Sequence, residues 1–521
     1  MAEAQAGVIA FLSEGSSYGA PEGLVERIET HISIVFLAGE RAYKLKRAVK
    51  FSYVDYSTPA LREMYCRREL ALNQRSAPEL YLRVRALTRG ADGGLEFDGA
   101  GVAVDFVLEM RRFAQEDLLD CLAAAGGLTP ALLRAVTDEI AAFHEAAAVA
   151  PGFGGAAAAR AVIAGNAKNL MQAAPLLDAD AAREVSSAAL AVLESLAPLL
   201  EARKAAGKVR RCHGDLHLGN ICLLEGRPRL FDCIEFNEDF SCIDVLYDLA
   251  FLLMDLLHRG LAAQANAVCN RYLDRTGDVG GLALLPLFIS MRAAVRAHVL
   301  VAQYRNTLAA HTLAAARAYL ALAGEALWRQ APFLLAIGGL SGSGKSTIAA
   351  ALAGRLGPVP GARVIRSDVV RKWIFGVAPE VRLPAAAYDA AASARVYAAM
   401  EEQAAAVLAA GHVVVLDAAF LAAGARTAVR ALAARAGVGF CGVWLQAPVA
   451  VLAARLAGRR GDASDADAAV MRAQAVEGEV DWLGVDATAG SGAQVARIWE
   501  ELLLRGLIEE APRGASARKI L

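Results

Sequence analysis

Residues 333–346 read FLLAIGGLSGSGKS, an apolar run that ends in a glycine-rich turn closed by a lysine and a serine. The turn satisfies G-x-x-x-x-G-K-[ST] from Gly339 to Ser346 and opens directly into the helix-forming stretch TIAAALAGRL. A strand, a glycine turn and a helix in that order let backbone N–H groups converge on phosphate oxygens. Gly339, Gly342 and Gly344 free the turn, Ser343 and Thr347 belong to the same cradle, Lys345 faces the outer phosphates, and Ser346 offers a hydroxyl to magnesium. Short apolar strands follow in ARVIRSD, HVVVLDA and GFCGVWLQA, with helical stretches between them, the pattern of a parallel α/β domain.

At 521 residues the chain is too long for one ordinary core. Ala331-Pro332 ends a long helical texture, so the expected organisation is a small mixed lobe over 1–112, a helical lobe over 113–330, a P-loop domain over 331–511 and a disordered tail over 512–521. In the small lobe, residues 31–53 alternate as a hairpin turning at Ala38-Gly39-Glu40, and residues 102–108 read as a strand. Leu61, Met64, Tyr65 and Leu72 mark one face of an intervening helix.

Hydrophobic residues make up 56% of the chain, but much of that share is alanine, and charges interrupt the longest apolar runs. No membrane span is expected, and the N-terminus lacks a basic leader, which suggests a cytoplasmic protein. The net charge of −1 gives no bulk footprint for nucleic acid and favours small-molecule partners. Eight cysteines without a C-x-x-C pair argue that Cys212, Cys222, Cys233 and Cys242 pack as small apolar side chains, not as a metal or redox cluster.

A second polar stretch, HGDLHLGN at 213–220, repeats the H-x-D-x-x-x-x-N spacing of kinase catalytic loops with His213, Asp215 and Asn220. Phosphoryl transfer needs a carboxylate to orient the attacking hydroxyl and an amide oxygen nearby to hold magnesium. Asp232, delivered by the strand PRLF, stands where a second metal-holding carboxylate is needed. HGDLHLGN followed by LFDCIEF resembles the aminoglycoside phosphotransferase-like family of small-molecule kinases over residues 25–260. The resemblance implies Lys44 as the nucleotide lysine, with Lys46 as its rival on the same strand face. It also implies Glu69 as the lysine's partner, Ala42 against adenine and VLEMRRF as the hinge. The chain lacks a G-x-G-x-x-G loop and an A-P-E segment, which argues against protein acceptors. Asp244 and Asp248, at i and i+4 of an expected helix, either orient the catalytic loop or face solvent, and the loop role is favoured. Arg292, Arg296 and Gln303 share an expected helix face, read as surface ion pairing in preference to an anion pocket.

After the P-loop, SDVVRK resembles the acceptor element of P-loop small-molecule and polynucleotide kinases, including gluconate kinase-like and zeta toxin-like enzymes. That implies Asp368 as the base and Arg371 as an acceptor-binding residue. Asp417 fits a Walker B position, and Arg455, Arg459 and Arg460 suit a lid over the phosphates. Together the halves resemble bacterial bifunctional aminoglycoside phosphotransferase-like and ATP-binding proteins. The expectation is a mixed α/β and α+β multidomain chain, a kinase-like bilobal module plus a P-loop parallel-sheet domain, using ATP and Mg2+ to phosphorylate hydroxyls of small molecules. A nucleotide-sensing regulator and a polynucleotide kinase are the competing readings.

Overall fold

Gly39 takes a φ of 57° between the strands Ser33–Ala38 and Arg41–Lys46, a conformation that a residue with a Cβ rarely adopts. The chain therefore reverses in two residues, and Ala38 pairs with Arg41 at one end while Ser33 pairs with Lys46 at the other. In the computed structural model, which describes residues 5–19, 23–51, 53–458 and 463–509, this hairpin lies within a six-stranded antiparallel sheet. Its spatial order is Val25–Glu29, Ser33–Ala38, Arg41–Lys46, Val102–Arg111, Tyr81–Arg89, Leu95–Phe97. Alternation sends Phe36, Tyr43, Leu45 and Val107 into a core with Val8 and Leu12. Leu37, Ala42, Leu108 and Met110 pack into another, with Leu80, Tyr81 and Cys222.

The helix Pro59–Asn73, capped by Thr58, seats the face its apolar residues mark only in part. Leu72 is buried, Leu61 and Tyr65 are half-buried and Met64 is 46% exposed, while Arg62, Cys66, Glu69 and Asn73 are buried beside them. Partnered polar groups decide the orientation. Arg62 makes a two-pronged contact with Asp105 at 2.7 and 2.9 Å, and Glu69 receives two lysines.

Beyond this sheet the chain is mostly helical, through Pro130–Ala146, Gly155–Ala173, Ala179–Ala205, Val245–His258, Ala262–Thr276, Leu285–Thr307 and Ala310–Ala326. The hairpin Ile221–Leu224/Arg227–Leu230 interrupts it and carries the segment between Asn220 and Asp232. Asp244 ends a short strand, Cys242–Asp244, so Asp244 and Asp248 do not share a helix. Two helical stretches, Ala179–Ala205 and Val279–Thr307, are long and apolar enough to cross a membrane by length and composition alone. The second is 67% buried in its most apolar window, as a core helix would be. It buries Arg292, sets Arg296 over the Tyr319 ring and leaves Gln303 exposed, so these three do not form a shared surface ion-pair face.

Residues group into two compact units, Met1–Ala158 with Leu200–Leu252, and Ala159–Leu199 with Leu253–Leu521. The second contains a five-stranded, fully parallel sheet. Its order is Arg363–Arg366, Val414–Asp417, Phe333–Gly339, Gly439–Gln446, Leu483–Asp486. The phosphate-loop strand is central and entirely buried, and its neighbours lead off in opposite directions, the switch point where α/β sheets bind ligands. Leu483–Asp486 was not expected, because LGVD carries no strand pattern of its own.

The change of texture at 331 is not a clean seam. Asn266 donates to the carbonyls of Pro360 and Ala362 at 3.2 and 2.9 Å, Asn270 Oδ1 accepts from Val364 N at 2.8 Å, and Asp274 pairs with Arg363 at 2.6 Å. The helix Ala262–Thr276 thus satisfies the edge of the parallel sheet.

Candidate functional site

In the first unit, Lys44 Nζ lies 2.8 Å from Glu69 Oε1 and also contacts Asp232. Burial opposes its charge, yet the Asp232 and Glu69 carboxylates outweigh that and hold its pKa well above the ordinary lysine value. Asp232 sits at a φ of 64°, a left-handed conformation that turns it out of the strand Arg227–Leu230. Tyr81 OH accepts from Asp232 N at 2.9 Å, and Asn73 Oδ1 accepts from Cys233 N at 2.8 Å, which fixes that turn.

The two candidate lysines have different surroundings. Lys46 Nζ meets Glu69 Oε2 at 2.6 Å, contacts Glu235, and is only 2% exposed, whereas Lys44 reaches the carboxylate of Asp232. Tyr56 closes the inner cluster by donating to Glu235 at 2.6 Å. Neither Glu235 nor Tyr56 was singled out from sequence. Ala42 is buried beside Leu108, Met110 and Cys222, where Phe113 and Phe231 meet edge to face at 5.3 Å.

Asn220 Nδ2 donates to both the main-chain oxygen and Oδ2 of Asp215, each at 2.9 Å, which leaves the Asn220 amide oxygen able to ligate magnesium together with Asp232. His217 Nε2 is 3.4 Å from Asp215 Oδ2. Asp248 holds the loop from beneath, accepting from His213 N at 3.0 Å and Gly214 N at 2.8 Å, with His144 Nε2 at 3.1 Å. Asp244 instead pairs with Arg203. His144, Cys212 and Asp248 place donor atoms within 4.8 Å of one another. Burial and then the nearby Asp248 push the Cys212 thiol far up, and the Asp248 oxygens already serve the loop amides, so this trio is a structural tie.

In the second unit, Gly339, Gly342 and Gly344 all take positive φ, and a Cβ on Gly339 or Gly342 would come within 2.6 Å of Leu445 O or 2.8 Å of Leu452 O. Gly344 caps the helix Lys345–Ala353. Lys345 Nζ bonds the Gly339 and Leu340 carbonyls at 2.9 and 3.0 Å. Ser346 Oγ donates to Asp417 Oδ2 at 2.5 Å, which brings the two expected magnesium-holding groups together. Ser343 is buried and Thr347 exposed.

Asp368 stands in the first turn of the helix Ser367–Ile374. Burial and the neighbouring Asp417 raise its pKa, and Arg366, the Ser464 hydroxyl and Lys345 offset part of that rise. Arg371 is 7% exposed, donates to Ala387 O at 2.6 Å and to Ser393 Oγ at 3.4 Å, and lies 4.8 Å from the Tyr388 ring. Arg455 is anchored on Ala487 O at 2.8 Å. Arg459 and Arg460 of the expected lid, and the tail 512–521, lie outside the described residues.

Residues 43–285 match the phosphotransferase enzyme family, and residues 334–477 match an AAA domain family. An uncharacterized protein of Mycobacterium tuberculosis is 30% identical over 470 residues, 88% of this chain and 91% of the relative. One from Mycobacterium bovis matches to the same extent. Among solved structures, a gluconokinase from Sinorhizobium meliloti 1021 is 25% identical, covering 34% of this chain and 99% of that one, with a TM-score of 0.25. A thermostable mutant of an aminoglycoside phosphotransferase is 18% identical, covering 60% and 97%, with a TM-score of 0.34.

Proposed function

We propose, from the premise that this chain belongs to the family joining a phosphotransferase enzyme domain to an AAA-type P-loop domain, that it is an ATP- and magnesium-dependent enzyme with two phosphotransfer sites. Each site transfers the γ-phosphoryl group of ATP to a hydroxyl of a small molecule in the cytoplasm. In the first, Lys44 holds donor phosphates, Glu69 orients Lys44, Asn220 and Asp232 hold magnesium, and Asp215 takes the acceptor proton. In the second, the glycine loop and Lys345 hold the donor, Ser346 and Asp417 hold magnesium, and Asp368 is the base.

The observation that carries this reading is that each set of phosphate-binding groups is accompanied by an acceptor-side carboxylate with its own polar support. Asn220 supports Asp215, and Ser464 supports Asp368. A protein that only sensed nucleotide would have no use for either carboxylate.

The test is a metabolite-library screen that follows ATP-dependent mass gain of one phosphoryl group in wild type, Asp215→Asn and Asp368→Asn. Each variant is expected to lose one set of products and keep the other. If neither variant changes any product, the two-site reading fails.

A further inference from the structure

The segment after the expected lid, SDADAAVMRAQ at 464–474, has the composition of a solvated arm, yet it is tied down at three points. Ser464 hydrogen-bonds the Asp368 carboxylate. Asp465 Oδ2 accepts from Lys372 Nζ at 2.6 Å and from Leu383 N at 2.9 Å, and it also accepts from Tyr388 OH. Lys372 is 1% exposed, and this carboxylate is its buried ion-pair partner. Asp467 then caps the short helix Ala468–Ala473 with bonds to Ala469 N and Val470 N, both at 2.9 Å. At the far end of that helix, Gln474 Oε1 accepts from Ser341 N at 2.8 Å, and Gln474 Nε2 donates to Ser341 Oγ at 2.9 Å.

Ser341 belongs to the glycine-rich loop and Asp368 is the proposed base; Tyr388, whose hydroxyl feels the Asp368 charge, stands with Leu383 where the acceptor wall of that base would lie. One short segment therefore touches the donor loop, the base and the acceptor wall. We infer that residues Ser464 to Gln474 form a positioning bridge, in which Ser464 and Asp465 set the base and acceptor wall while Gln474 locks their register to the phosphate loop. The inference rests on the proposed role of Asp368 and extends it to residues that do not themselves touch the transferred group.

The bridge makes a prediction that simple structural support does not. A hydroxyl donating to a carboxylate stabilises its charged form and lowers its pKa, so removing the Ser464 hydroxyl raises the pKa of Asp368. The base works only when deprotonated. Activity is therefore present above that pKa and lost as pH falls through it, and Ser464→Ala moves the acidic limb of kcat/KM for the acceptor upward.

The experiment records pH–rate profiles of the P-loop reaction in the full-length protein, with the acceptor found by the library screen, for wild type, Ser464→Ala, Ser464→Thr and Asp368→Asn. The expected upward shift in Ser464→Ala is roughly one pH unit, with Ser464→Thr restoring the wild-type profile. Gln474→Ala is expected to lower kcat about 10-fold with KM for the acceptor little changed, because it loosens register and not the pocket. Should Asp465→Asn unfold the domain by stranding Lys372, the Ser464 and Gln474 variants still decide the matter, with circular dichroism confirming their fold. An Asp368→Asn variant that transfers at the wild-type rate removes the proposed base. A dead Asp368→Asn beside Ser464→Ala and Gln474→Ala variants with unchanged profiles and rates overturns the bridge alone.

Discussion

Lys46 Nζ lies 2.6 Å from Glu69 Oε2, on the same carboxylate whose other oxygen takes Lys44 at 2.8 Å. Glu69 has no exposure to solvent, and after the opposing effect of burial its pKa is held low by Lys44 and Lys46 in turn. The two lysines nevertheless have different surroundings. Lys44 contacts the partly exposed Asp232, on the side where the proposed nucleotide and metal would bind, whereas Lys46 is enclosed by Glu235 and Tyr56.

Replacing each lysine by methionine should therefore give opposite signatures. Lys46→Met leaves Glu235 and one oxygen of Glu69 without their buried cation, and is expected to cost ~3–5 kcal/mol of stability. Lys44→Met keeps Glu69 paired through Lys46, so the fold persists while ATP affinity drops roughly 10- to 100-fold, the loss of one charge-assisted bond. Denaturant unfolding paired with nucleotide titration separates the two. Equal destabilisation by both variants would contradict the division of labour.

Asp215 and Asp232 are likewise separable. Asp215→Asn keeps the shape of the loop and is expected to lower the rate of the first reaction by ~10²–10⁴ while ATP still binds. Asp232→Ala removes a proposed metal ligand and the Lys44 contact together, so its defect should be partly relieved by raised magnesium. Initial rates across a magnesium series check this, and a defect in Asp215→Asn that magnesium rescues would reverse the two roles.

How much of this was legible in the sequence depends on how local the chemistry is. His213, Asp215 and Asn220, and the loop Gly339 to Ser346, are readable because a phosphate or metal site demands fixed residue types within a few positions. The Lys46–Glu235–Tyr56 cluster was not readable, since a lysine on a strand has the same letter whether it is solvated or enclosed. The helix Pro59–Asn73 misleads for a related reason. Its polar residues find buried partners across the fold, so apolar periodicity marks only part of the buried face. Asp465 meets Lys372 and Tyr388 across 93 and 77 residues, and only the fold brings such groups together.

Asp248 is a buried support of the catalytic loop. Asp248 gives one oxygen to His213 N and the other to Gly214 N. In Asp248→Asn only one of those oxygens survives as an acceptor, so one buried loop N–H loses its partner at a cost of about 1–3 kcal/mol. The first reaction should slow while the P-loop reaction is unaffected, as rates of the two separated products will tell.

With Asp368 as the proposed base, its raised pKa predicts a pH signature for the P-loop reaction. Burial and Asp417 disfavour the carboxylate, so the acidic limb should lie above the ordinary carboxylate range, with activity lost as pH falls through it. Asp417→Asn removes the like charge and should therefore lower the pKa of Asp368 in the magnesium-free protein, read from carboxyl carbon chemical shifts across a pH series. An Asp368 carboxyl that titrates where it does in wild type, or higher, would mean that Asp417 does not set the charge state of the base.

The edge of the parallel sheet supplies the last expectation. Arg363 is 3% exposed, and its carboxylate partner Asp274 comes from the helix Ala262–Thr276, far upstream of the P-loop domain in sequence. Asp274→Ala would leave a buried guanidinium without that partner and is expected to cost ~3–5 kcal/mol. Pairing it with Arg363→Met removes the stranded charge and should recover much of the loss. The strand Arg363–Arg366 runs straight into Ser367 and Asp368, so the single variant should also slow the P-loop reaction beyond what its remaining folded fraction accounts for. A fragment beginning at residue 331 lacks Asn266, Asn270 and Asp274 altogether, and should unfold at lower denaturant than one beginning at residue 253. Equal midpoints for the two fragments would show that the sheet edge does not need the helix.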